Sequence, residues 1–173
     1  MLVALLFATL VLRAEPSAAA LAGKWRLVPD RSTEPGGWKT IELVITADGS
    51  RVTLARKLSS GRRSYDDTAV LDLSRPENVV PTPWFADNRH LAAFMGADKT
   101  RRVRTELLDG GRRLRTSADL TVETQQGLHA LNILTDYQIS ESGAVLTLIE
   151  LRSTRSRPIV YVFTRATAVE AKP

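Results

Sequence analysis

The chain has no cysteine, which excludes disulfide staples, thiolate nucleophiles and cysteine-based zinc sites. It equally excludes the lipid-carrying cysteine that tethers an exported bacterial protein to a membrane. Histidine is nearly as scarce. His90 and His129 are the two in 173 residues, too few for a multi-histidine metal centre, and neither metal nor cofactor is expected. Aromatic residues amount to 6%. The longest apolar run, Leu2 to Leu12, is far shorter than the ~20 residues a membrane-crossing helix needs.

What is present is ordinary for a soluble domain with a proper core: 43% apolar and 25% charged residues. The formal net charge is +5, and a solvated basic surface accounts for it without a dedicated partner.

The apolar run is followed by Arg13 and then by Ser17-Ala18-Ala19-Ala20-Leu21-Ala22. An apolar core with a small-residue exit is the pattern of a secretory signal peptide. Residues 1–22 are therefore read as a leader, with cleavage after Ala19, Ala20 or Ala22. No Lys or Arg precedes the run. Export to the periplasm or the medium is the expected destination.

From there the chain alternates with period two between turn residues. The runs are Lys24 to Val28, Thr40 to Ala47, Arg51 to Leu58, Ser64 to Leu73, Thr100 to Leu108, Arg112 to Thr124, Leu128 to Ile139, Val145 to Ser153 and Pro158 to Arg165. Asp48-Gly49, Asp109-Gly110-Gly111 and Ser142-Gly143 mark tight hairpins. Residues 74–99 interrupt the rhythm with Pro76, Pro81 and Pro83, then Trp84-Phe85. A short helix from Asp87 through Met95 and an extended path are both open there.

The expected fold class is all-β: one domain over residues 23–166, a disordered tail at 167–173, and no internal repeat. Short antiparallel strands joined by local hairpins must close on themselves to protect their edges. An up-and-down antiparallel barrel of 8–10 strands satisfies that better than a sandwich, because no long crossover is visible.

Gly23-Lys24-Trp25 resembles the G-x-W that opens the first strand of lipocalins and fatty-acid-binding proteins. Tyr161-Val162-Phe163-Thr164-Arg165 resembles their last strand, whose arginine packs near that tryptophan. The resemblance implies a calycin-type barrel in which Gly23, Trp25 and Arg165 close one end, with a ligand inside. It departs from fatty-acid-binding proteins in two places. Residues 28–39 are too short and proline-rich for their two helices, and Arg165 is followed by Ala166-Thr167 rather than completing R-x-Y.

Strand parity gives the chemical lead. If Val52, Leu54 and Leu58 face inward, so does Arg56, and Tyr161 and Arg165 share a face with Ile159 and Phe163. A guanidinium in an apolar interior needs a partner. Arg56, Arg165 and Tyr161 would hold the head group of an anionic amphiphile through bidentate pairing. The competing reading stacks Arg165 on Trp25 and leaves Arg56 at a wet rim. Trp84 and Phe85 belong to the ligand set as a flap over the mouth, or plug the barrel permanently. His129 lies on the face of Leu131, Ile133 and Tyr137, facing the ligand or simply part of the core. No serine or cysteine nucleophile has a recognisable setting around His90 or His129, so an enzyme is not expected.

The runs Arg101-Arg102-x-Arg104 and Arg112-Arg113-x-Arg115 flank one hairpin, and by alternation Arg102, Arg104, Arg113 and Arg115 share its outer face. Without aromatic residues for base stacking it argues against nucleic acid. Peripheral contact with an anionic membrane surface stays open, as does a salt-bridged solvated face. The expectation is a monomeric, exported barrel that binds a small apolar or anionic amphiphile. The other reading is a filled barrel acting through its surface at the cell envelope.

Overall fold

The computed structural model describes residues 17–33, 38–85 and 93–166. Eleven strands follow in chain order: β1 Gly23–Leu27, β2 Thr40–Asp48, β3 Arg51–Ser60, β4 Arg63–Asp72, β5 Asn78–Pro81, β6 Phe94–Met95, β7 Thr100–Leu108, β8 Arg113–Thr124, β9 Gly127–Ile139, β10 Val145–Arg152 and β11 Ile159–Arg165. Three 3-10 turns, at Ala18–Leu21, Pro29–Arg31 and Asp109–Gly111, accompany them, and the described residues contain no α-helix.

The alternating runs form strands because each has one apolar face to bury. Thr116, Ala118, Leu120 and Val122 of β8 turn inward, while Arg113, Arg115 and Asp119 stay at the surface side. All pairings are antiparallel, and the order is β4-β3-β2-β1-β11-β10-β9-β8-β7-β5, with β6 beside β8. The first strand meets the last: Trp25 lies opposite Arg165 and Leu27 opposite Phe163. The result is a nearly closed antiparallel up-and-down barrel.

The break in the barrel lies between β4 and β5, where no ladder forms. There the Asn78 side chain does a strand's work. Its amide oxygen accepts from the Asp72 backbone N–H at 2.8 Å, and its amide nitrogen donates to the Asp72 carbonyl at 3.2 Å. β5 was not legible among the prolines. Pro81 ends it as a short edge strand, where a missing N–H is tolerated. Most of the segment read as a helix from Asp87 lies outside the described residues. Its described end, Phe94–Met95, is strand.

Two apolar clusters fill the interior. The larger gathers Leu21, Trp25, Leu43, Ile45, Val52, Leu71, Leu114, Leu146 and Phe163. The smaller holds Phe85, Ala93, Met95, Leu120, Val122 and Leu131. Along β8, β9 and β10 the residues between them are polar: Thr116, Thr135, Tyr137 and Glu150.

The larger cluster is closed from below by the Ala18–Leu21 turn. Ser17 Oγ accepts from the Ala19 N–H at 3.2 Å, and Ala18 and Leu21 are fully buried. The Trp25 indole N–H donates to the Leu21 carbonyl at 3.0 Å. Beside it the Arg165 guanidinium lies 4.3 Å from the Trp25 ring centroid and donates to the Ala22 carbonyl at 2.9 Å. Gly23 makes this contact sterically feasible. Its φ of +145° is glycine territory, and a Cβ there would collide with the guanidinium.

Candidate functional site

An internal cavity of about 100 Å³ sits at the polar level of the barrel. Strand parity aims its polar lining inward: Arg56 from β3, Tyr65 and Asp67 from β4, Arg101 from β7, Tyr137 from β9, Glu150 and Arg152 from β10, and Tyr161 from β11.

The centre of the lining is a triad across the open seam. Asp67 Oδ2 accepts from Arg56 at 3.0 Å, and Asp67 Oδ1 from Arg101 at 3.0 Å. Two guanidiniums therefore share one carboxylate, leaving one formal positive charge. Burial alone would raise the Asp67 carboxyl, but Arg56 and Arg101 outweigh it and hold it below the usual range. Burial likewise works against the Arg56 charge, and Asp67 reverses it, so the guanidinium is held above its ordinary value. Arg56 is enclosed by the barrel, yet 25% of its side-chain surface remains accessible. That surface faces the cavity.

Tyr137 and Tyr161 stand within electrostatic reach of Arg56. Burial raises both phenols, so both are neutral donors at pH 7. Tyr161 is 7% exposed. Neither hydroxyl hydrogen-bonds to a described residue, and neither oxygen is fully buried, so both remain open donors at the cavity wall.

Glu150 and Arg152 form a second, buried ion pair through Glu150 Oε1. Burial pushes the Glu150 carboxyl up and draws the Arg152 guanidinium down to about 10. Burial thus works against the charge on both partners, and an arginine at about 10 is still protonated at neutral pH.

Trp84 and Phe85 cover one side of this space. Tyr65 donates to the Trp84 carbonyl at 2.9 Å and its ring lies 4.8 Å from the Trp84 ring at 58°. Phe85 is buried in the smaller cluster.

Of the residues singled out by sequence, Arg56, Tyr161, Trp84 and Phe85 line the cavity together. Arg165 is not with them. It lies on Trp25 at the barrel end. His129 shares the inward parity of β9 but is exposed, lining a separate surface groove with Phe85, Val122 and Leu131. No carboxylate hydrogen-bonds to it among the described residues, and His90 lies outside them.

Asp67, Arg101, Tyr137 and Glu150 were not singled out, although parity places each with apolar neighbours. What the pattern lacked was depth. Alternation gives the face of a residue, not the level at which strands far apart in sequence meet. No protein-family model and no curated protein sequence matches this chain. Its geometry therefore carries the functional argument.

Three arginines of the basic outer hairpin have carboxylate partners. Arg104 pairs with Asp119 at 2.7 Å, Arg113 with Asp109 at 2.7 Å, and Arg115 with both oxygens of Asp136 at 2.7 and 2.8 Å.

Proposed function

We propose that this barrel binds a small organic anion in its interior, with Arg56, Arg101, Tyr137 and Tyr161 taking the head group. The supporting observation is the charge and donor surplus at the cavity wall. Two guanidiniums share Asp67, and two phenolic hydroxyls beside them have no partner among the described residues. A carboxylate would add the second acceptor group and balance the charge. This narrows the ligand from any amphiphile to a compact monoanion. At about 100 Å³ the space is below the ~300–1,000 Å³ of typical small-molecule sites, so a long tail would require Trp84 and Phe85 to move aside. The protein is read as a lipocalin-like, exported, monomeric carrier without a catalytic step.

The second reading, a filled barrel acting through its surface, draws on the same small volume. Calorimetric titration with straight-chain carboxylates from acetate to decanoate separates the two. The carrier reading expects saturable binding that stops beyond a short chain length, absent for the matching neutral amides. Arg56→Met should weaken binding roughly 10- to 100-fold, the loss of a charge-assisted hydrogen bond. No saturable heat with any member would leave the filled-barrel reading. Fractionation of cells expressing the complete chain tests export separately.

A further inference from the structure

The small-residue stretch at Ser17 to Ala22 has two incompatible claims on it. As sequence it is the exit of a leader, with Ala19, Ala20 and Ala22 at cleavable positions. In the fold it is the floor of the barrel. Ala18 and Leu21 have no exposed surface, and the 3-10 turn packs against β2, β8, β9 and the turn at Asp109–Gly111. Three bonds and contacts tie it down independently. The Trp25 indole N–H, buried, has the Leu21 carbonyl as its acceptor. Arg165 donates to the Ala22 carbonyl. Gly111, buried at φ +90°, leaves space that the Ser17 carbonyl occupies, so that a Cβ at 111 would strike it.

We infer that Ser17–Ala22 is a permanent part of the mature barrel, and that any proteolytic removal of the leader cuts upstream of Ser17. Cleavage after Ala19, Ala20 or Ala22 would take away both fully buried side chains or one of them. After Ala22 it would also leave the Trp25 indole N–H without its acceptor inside the core, and a buried unsatisfied donor is costly.

The test is the N-terminus of the processed protein. The complete chain is expressed with its own leader in an exporting bacterial host, and the product is measured by intact mass and N-terminal sequencing. A terminus at Ser17 or earlier, including an unprocessed Met1, is expected; Met1 would count against export while leaving the present inference standing. A terminus at Ala20, Leu21 or Gly23 overturns it. A double variant, Ala19→Lys with Ala20→Lys, changes two exposed side chains and spoils all three downstream cleavage positions. It should mature like the wild type, whereas a variant that stays uncut beside a wild type that is cut would place cleavage downstream and refute the inference. Leu21→Ala in the complete chain should lower the melting temperature of the purified product by about 10 °C, as expected for a leucine cavity in a chain of this size. An unchanged melting temperature would mean that Leu21 had been removed.

Discussion

Asp67 is the residue on which the interior depends most. Its carboxylate ion-pairs with both Arg56 and Arg101. Replacing it with leucine leaves two enclosed guanidiniums without that carboxylate. Urea unfolding should show a loss of about 3–5 kcal/mol, the range for breaking a buried pair. Its pH signature follows from the direction of its shift. The carboxyl is held low in the folded chain, so its contribution is complete above the unfolded-chain value near 4. It is lost as pH falls through the lower folded value. Asp136, held low by Arg115, acts in the same sense. Stability should therefore decline from about pH 4 downward, and Asp67→Asn should flatten part of that acid limb in pH-dependent melting curves. Arg165 is the contrasting case: charged, aromatic-stacked and remote from the cavity. Arg165→Ala should reduce stability by about 1 kcal/mol and leave carboxylate affinity unchanged, measurable on one preparation by urea unfolding and titration.

Among the elements, β1 and the β4/β5 seam set the character of the barrel. β1 is five residues long, yet it joins β2 to β11 and carries both Gly23 and Trp25. Gly23→Ala forces the Arg165 guanidinium away and strains a φ of +145°. It should lower the melting temperature by more than Arg165→Ala does, because it adds backbone strain to the same lost contact. At the seam, β4 and β5 are joined by an Asn78 side chain rather than a ladder. Asn78→Leu removes both bonds, so the Asp72 N–H loses its acceptor while the Asp72 carbonyl keeps the Arg75 N–H. Amide exchange should then quicken in β4 and β5 while β8 and β9, paired along their length, keep their protection. Uniform quickening across all strands would show that the seam is not a separate opening unit. The alternating strands were legible because each is long enough to show its period and is bounded by turn or loop residues. β5 was not, since four residues containing a proline give too short a pattern to read.

At the level of the whole molecule, the meander is closed by its own ends. The Ala166 N–H donates to the Lys24 carbonyl at 2.8 Å, so the chain leaves the barrel where it entered. The broken edge lies elsewhere, at residues 73–77 between β4 and β5. A circular permutant joining Ala166 to Ser17 through a short Gly/Ser linker, and opened in the exposed turn at 74–76, should fold to the same circular dichroism spectrum. Its melting temperature should fall within a few degrees of the parent. Opening the tight β2–β3 hairpin at Asp48-Gly49 instead converts a local pairing into a distant one and should lower stability further.

The sequence by itself determined which faces of the strands turn inward, because alternation with period two leaves no other way to bury the apolar side chains. Arg56 and Tyr161 inside follow from that rule, whereas Trp25 beside Arg165 was implied by the resemblance of the first and last strands to those of lipocalins. Only the tertiary structure decided which inward residues share a level. Asp67 and Arg101 are 34 positions apart and meet across a seam that no local pattern marks. It also decided that Ala18 and Leu21, indistinguishable from a leader by composition, are floor rather than tail. Burial depends on neighbours supplied from the far ends of the chain, and those neighbours are not written in the segment itself.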